Sequence, residues 1–161
     1  MRMLLHILCT SLLVLMLPVG ARAETEQKDP QGRFTVDVPS GWRLVASNDE
    51  MKLTMGDSVI TIRHLDGVDS AQKALIASVQ IMWEGYSGFM AMERGETSLG
   101  GQHAVFANFS AYDDRSISVY LRCVATDSGW SFFAASPQSG FTTLRDTLIK
   151  IEQSFKLVKK P

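Results

Sequence analysis

The segment 130–135 is apolar on both faces of the strand that it predicts. Side chains alternate between the two faces of a β-strand. One face would carry Trp130, Phe132 and Ala134, and the other would carry Phe133 and Ala135. Such a strand needs apolar cover on both sides, so its sheet has to lie in the middle of three layers.

Two segments have the apolar spacing of amphipathic helices and can supply the outer layers. The first begins after Asp69 or Ser70, either of which is a suitable N-cap, and the second begins near Thr142 or Thr143. Their apolar stripes are Ala71, Leu75, Val79, Met82 and Tyr86 in the first segment, and Leu144, Leu148, Ile151 and Phe155 in the second. We therefore expect one helix against each face of the sheet.

Most of the remaining chain alternates apolar and polar residues between Gly, Pro and Asp turns, which is typical of strands. The predicted strands are 33–38, 42–46, 51–55, 58–65, 89–97, 105–111, 117–125 and 130–135. The last four follow one another through short turns and predict an antiparallel meander. The predicted fold class is α+β: an antiparallel sheet of about six to eight strands sandwiched between two helices, with α/β/α layers, in a single domain over 33–158.

The N-terminus has the three parts of a cleavable signal peptide, which we predict over residues 1–23. A positive start precedes an apolar run of 17 residues, Met3 to Val19, and Ala21 and Ala23 occupy the positions that signal peptidase requires. The alternative, an uncleaved anchor, would need about 20 apolar residues. Residues 24–32 are polar and predict a flexible lead. The expected location is periplasmic or secreted, with no membrane span after cleavage.

The charge of the chain argues against a nucleic-acid-binding protein, and its cysteine content excludes a domain stabilised by an internal disulfide. Without residues 1–23, the chain has 14 basic and 17 acidic residues, a net charge of −3, and no clustered basic face. This argues against nucleic acid as a partner. Cys123 is then the sole cysteine, so no internal disulfide can form. Its register with Val119 and Leu121 predicts a buried, unreactive thiol.

The residue patterns predict no catalytic residues, no metal site and no cofactor. His64 and His103 lack the ligand spacing of a metal site. Four residues are candidates for partner binding: Trp42, Met90, Met92 and His103. Trp42 is either a core residue or an exposed anchor. Met90 and Met92 would share one face of a strand as an adaptable contact surface, with a Cu(I) site as the alternative.

The run Phe34-x-Val36-x-Val38-Pro39-x-Gly41-Trp42, followed by a hairpin, a helix, a long meander and a C-terminal helix, resembles the PsbP/Mog-like fold. Among exported bacterial members, the chain is most similar in style to the DcrB-like proteins, although it lacks their lipid-attachment cysteine. The resemblance implies a non-enzymatic role, because known members bind photosystem II, a Ran-type GTPase or hydrophobic segments of secreted effectors.

Two functions follow as expectations. The first is an exported, non-catalytic binding or assembly module that contacts a protein or an envelope component. The alternative is a periplasmic carrier of a small hydrophobic ligand or a soft metal. Such a carrier would use a cleft between sheet and helix lined by Met82, Met90, Met92 and His103.

Overall fold

The computed structural model describes residues 24–158, and the predicted signal peptide lies outside this range. Ten strands and two helices follow in chain order: β1 (Thr25–Lys28), β2 (Phe34–Val38), β3 (Arg43–Ala46), β4 (Glu50–Met55), β5 (Ser58–His64), α1 (Ala71–Met82), β6 (Ser87–Leu99), β7 (Gln102–Tyr112), β8 (Ser118–Thr126), β9 (Trp130–Pro137), α2 (Gln138–Ser154) and β10 (Lys156–Leu157). Neither helix combines the length and the apolar character needed to cross a membrane.

A seven-stranded antiparallel sheet forms the centre of the fold, in the order β3-β4-β5-β9-β8-β7-β6. Helix α1 packs on one face of this sheet, and α2 packs on the other. Strand β9, which is apolar on both sides, lies near the middle of the sheet and is almost wholly buried. The predicted three-layer α+β fold and its antiparallel meander are therefore confirmed.

Helix α1 begins as the sequence predicts. The Ser70 side chain accepts a hydrogen bond from the Lys73 backbone N–H at 3.3 Å, as an N-cap does. Ala71, Leu75 and Met82 of the predicted stripe are buried against the sheet. The helix lies over β7, β8 and β9, so the outer strands on both flanks are left uncovered on this face.

Helix α2 begins at Gln138, earlier than the predicted caps Thr142 and Thr143. Strand β9 passes directly into the helix through Pro137, which makes no side-chain cap hydrogen bond. Residues 138–140 are two polar residues and a glycine, so the spacing of apolar residues does not predict a helix there. A tertiary contact stabilises it instead, because Phe141 stacks on Tyr120 with ring centroids 3.5 Å apart.

The prediction of a flexible lead over 24–32 is wrong for Thr25–Lys28. These residues form β1, which pairs with β2 in a separate three-stranded sheet, β1-β2-β10. The buried Asp29 closes the turn after β1 by accepting hydrogen bonds from the Arg33 backbone and guanidinium. Burial opposes ionisation of Asp29, but the bonds from Arg33 outweigh it and lower the pKa of that carboxyl.

A buried ion pair joins α2 to the large sheet. Arg122 on β8 donates two hydrogen bonds to Glu152 on α2, each 3.2 Å long. The same guanidinium donates to Asn108 on β7, whose amide donates to Glu93 on β6. The network therefore reaches from the helix to the outermost strand. Burial raises the pKa of Glu152, although Arg122 opposes the shift.

Candidate binding groove

A groove of about 890 Å³ runs between α1 and the outer strands β6 and β7. It exists because α1 covers β7 to β9 and leaves β6 bare on this face. Helix residues form one wall and sheet residues form the floor and the other wall. The apolar lining side chains are Leu75, Ile76 and Val79 from α1, Trp83 at its C-cap, and Met92, Val105 and Phe109 from the sheet, and the charged ones are Glu93, Arg94 and Glu96 from β6.

The walls of the groove expose large apolar side chains. Trp83 is 61% exposed, Met92 is 52% exposed and Ile76 is 51% exposed. Single exposed apolar residues are common on protein surfaces, whereas a contiguous set beside a groove marks an interaction site. The groove is therefore our candidate functional site.

The two uncovered flanks of the sheet differ in polarity. On the β4–β5 flank, the α1 face carries Lys52, Thr54 and an ion pair between Arg63 and Glu50 of 2.6 Å. Such residues suit a face that meets water. The β6–β7 flank instead presents apolar side chains of the groove beside the charged Arg94 and Glu96. A sheet face meant only for solvent would not need this composition.

The prediction that Met90 and Met92 share one face of a regular strand is wrong. In β6, Ala91 pairs with Phe109 and Glu93 pairs with Asn108, so Met92 is the additional residue of a bulge. Met92 lines the groove and Met90 does not, although Met90 is 62% exposed. The bulge breaks the simple alternation on which a paired thioether site would depend.

His103 lies at the start of β7 and outside the groove lining. Its Nδ1 is 2.9 Å from an oxygen of Asp127, and the other oxygen accepts a hydrogen bond from the Ala71 backbone at the beginning of α1. These two bonds lower the pKa of Asp127, with the bond from Ala71 as the larger cause. The arrangement positions the helix that forms one wall of the groove.

His64 contacts the same turn. Its Nε2 lies 3.0 Å from the Ser128 carbonyl oxygen, and its Nδ1 lies 2.9 Å from Asp66. Both histidines therefore contact carboxylates, but they do so at the surface and not in a cavity. Across residues 24–158, no group of three or more His, Cys, Asp or Glu side chains is placed to hold a metal ion.

Trp42 is half-buried and packs against the core between the large sheet and α2. Met82, the last residue of α1, is buried against the sheet. Of the four residues predicted to line a carrier cleft, the groove lining contains only Met92. The fold therefore does not gather Met82, Met90, Met92 and His103 into one site.

Cys123 is buried in the core beneath α1, and we predict that it resists thiol reagents in the folded protein. Burial raises the pKa of the Cys123 thiol to about 12, against a smaller opposing effect of a hydrogen bond with Ser78. At pH 8 the reactive thiolate is then about one part in ten thousand. Ellman's reagent should label the protein in urea and leave it unlabelled in buffer. Rapid labelling in buffer would contradict this burial.

Sequence reasoning missed Trp83 and Ile76. They lie seven residues apart, Ile76 on α1 and Trp83 at its C-cap, and they adjoin Val79 of the predicted core stripe. Residues at i and i+7 share a helix face, so a second apolar stripe was readable in the sequence. Only the fold shows that these side chains stand beside the uncovered strand β6.

Comparison with solved structures identifies the fold. No protein-family model matches the sequence, and no curated protein matches it either. The cyanobacterial PsbP protein of Synechocystis superposes with a TM-score of 0.57 at 12% identity, covering 91% of this chain and 99% of that one. The Ran-binding protein Mog1p of Saccharomyces cerevisiae gives 0.57 at 10% identity, covering 86% and 97%.

A protein of unknown function from Pseudomonas aeruginosa gives a TM-score of 0.50 at 13% identity, covering 86% of this chain and 98% of that one. At these identities the likeness concerns architecture alone. The arrangement shared with PsbP and Mog1p confirms the resemblance drawn from the sequence: the chain has the PsbP/Mog-like fold.

Proposed function

We propose that this protein is an exported, non-catalytic binding module that holds a partner protein in the groove between α1 and β6. The observation that carries the proposal is the contrast between the flanks of one sheet face. The β4–β5 flank is polar, whereas the groove on the β6–β7 flank combines exposed apolar Trp83 and Met92 with charged Arg94 and Glu96. Export rests on the sequence of residues 1–23.

The groove favours a protein segment over a small ligand. Its volume falls in the range of ligand sites, but such sites bury about 70–90% of a small ligand. Here the groove walls stand open, since Ile76, Trp83 and Met92 are each more than half exposed. Tryptophan is enriched among protein-binding hot spots, and Trp83 is exposed beside this open groove. The Ran-binding role of Mog1p shows that this fold can serve protein recognition.

Site-specific photocrosslinking in the producing cells tests the proposal. The photoreactive amino acid p-benzoylphenylalanine is placed at Ile76 in the groove, or at Val45 on β3 at the opposite edge of the sheet. The two positions make a matched pair, because Ile76 is 51% exposed and Val45 is 53% exposed. We expect a discrete crosslinked protein from the Ile76 position and none from the Val45 position.

The crosslinked partner then gives a quantitative test. Replacing Trp83 with alanine should weaken binding of the purified partner by about 30-fold, which corresponds to a hot spot of about 2 kcal/mol. Isothermal titration calorimetry measures this change, and Val45→Ala serves as the control that leaves affinity unchanged. Equal crosslinking from both positions, or full affinity after Trp83→Ala, would rule out the groove as the binding site.

A carrier of a small hydrophobic ligand remains a second candidate because of the groove volume. Native mass spectrometry of the protein purified from its own cells distinguishes the two. A bound small molecule that is lost in Trp83→Ala would favour the carrier. A crosslinked protein together with an unliganded mass favours the binding module.

A further inference from the structure

Strand β6 forms one edge of the large sheet and is hydrogen-bonded to β7 alone. It has 13 residues, whereas β3 at the opposite edge has four. A long exposed edge presents unpaired backbone N–H and C=O groups that can pair with another chain, and proteins commonly shorten or distort such edges. Strand β3 is short, so the edge that it forms presents few unpaired backbone groups.

The two halves of β6 differ in regularity. Both irregularities in the pairing with β7 lie between Ser87 and Glu93. From Glu93 to Leu99 the register is unbroken, running from Glu93 opposite Asn108 to Leu99 opposite Gln102. The first half is thus protected by bulges, and the second half offers a regular row of outward backbone groups.

The charges on the regular half are self-complementary. Arg94 pairs with Ala107 and Glu96 pairs with Val105, two residues that pack toward α1, so Arg94 and Glu96 lie on the same face of β6. Both are exposed, and neither forms an ion pair with another residue in the described part of the chain.

We propose that β6 pairs antiparallel with β6 of a second copy about a two-fold axis at Gly95. In this register Arg94 of each copy lies opposite Glu96 of the other, so two opposite-charge cross-strand pairs form. Glu93 lies opposite Thr97, and Gly95 lies opposite itself without side-chain crowding. The interface is isologous, as two-fold symmetry requires.

The same charges disfavour the adjacent registers. An axis at Arg94 places two arginines opposite each other, and an axis at Glu96 places two glutamates opposite each other. Like charges directly opposite destabilise a strand pair. A register shift that keeps every side chain on its face moves the two-fold axis by one residue along β6. Arg94 disfavours the shift in one direction, and Glu96 disfavours it in the other.

The dimer joins two seven-stranded sheets into one and places the two grooves next to each other on the same side. This pairing uses the backbone edge of β6, but its register is set by Arg94 and Glu96, which also line the groove. Self-association is measured on the purified protein without a partner, whereas partner binding is tested by crosslinking at Ile76, so the failure of one is distinguishable from the failure of the other.

Sedimentation velocity across a range of concentrations tests the proposal with charge reversals. The protein is purified from the cells that produce it, with its N-terminus established by mass spectrometry. We expect wild-type protein to dimerise and each single variant, Arg94→Glu or Glu96→Arg, to have a Kd about 30-fold higher, since two attractive pairs become two repulsive ones.

The decisive test is whether restoring the opposite-charge pairs restores the dimer. An equimolar mixture of the two single variants should dimerise like the wild type, because every charge then faces its opposite across the strand pair. The double variant R94E/E96R should do the same on its own. Thermal melting establishes that each variant is folded. A wild type that stays monomeric, single variants that remain dimeric, or a mixture that stays monomeric would each overturn the proposal.

Discussion

Replacing Arg122 with alanine should lower the free energy of unfolding by about 3–5 kcal/mol, because the change leaves a buried carboxylate without its partner. The Glu152 side chain is 8% exposed and the Arg122 side chain is 18% exposed. Two hydrogen bonds to Glu152 and one to Asn108 are lost together. Equilibrium unfolding in urea measures the change.

The loss should shrink as the pH is lowered. Burial already raises the pKa of Glu152 against the opposing effect of Arg122, and removing that guanidinium raises it further. The native state of the variant then binds a proton at a pH where the unfolded chain does not, so its stability increases as the pH falls through the raised pKa. The difference from wild type should decrease from about pH 8 to about pH 5.

The ion pair between Arg63 and Glu50 provides a matched control. It is shorter, at 2.6 Å, but its side chains are 30% and 36% exposed. Arg63→Ala should therefore cost less than about 1 kcal/mol. Replacing both buried partners, with Arg122→Met and Glu152→Leu, should recover much of the stability, because no buried charge is left unpaired. Equal losses from Arg122→Ala and Arg63→Ala would show that burial does not set the cost.

The layer architecture was predictable because it depends on the spacing of apolar residues along each strand and helix. A different arrangement of layers would leave those apolar residues exposed to water. The two-sided apolar pattern of 130–135 requires a central strand, and β9 lies there. The Ser70 cap and the stripe that follows it fix the start of α1 in the same way. These signals are local, so a single sequence carries them.

The segments that sequence analysis missed have no apolar spacing of their own and are held by contacts with other segments. Strand β1 has no apolar alternation and is stabilised by its pairing with β2 and by the bonds that Asp29 accepts from Arg33. The first turn of α2 depends on the stack of Phe141 upon Tyr120. In each case the stabilising partner lies on a different element, so the spacing of apolar residues within the segment does not predict the contact.

The candidate groove was only partly predictable for a related reason. Exposed methionines on β6 were foreseen, but the bulge at Met92 separates them, and a bulge depends on how two strands pair. Trp83 and Ile76 were visible as a second stripe on α1. Their significance depends on which strands α1 leaves uncovered, and that is a property of the assembled layers.

Replacing Phe34 with alanine should cost about 3–5 kcal/mol, since it removes a large ring from a fully packed site. Phe34 is 1% exposed and lies on β2 in the small sheet. Its ring centroid is 5.0 Å from that of Trp130 on β9 and 5.0 Å from that of Phe155, which follows α2. One side chain thus joins the small sheet, the large sheet and the end of the second helix.

The conservative variant Phe34→Leu serves as the control, because it keeps most of the volume and should cost less than about 1.5 kcal/mol. Urea unfolding compares the two variants, and near-ultraviolet circular dichroism reports the fixed packing of Trp130. We expect that signal to weaken more in Phe34→Ala than in Phe34→Leu. If alanine costs no more than leucine, the three-stranded sheet is not held through this ring cluster, and backbone pairing of β2 with β1 and β10 must hold it instead.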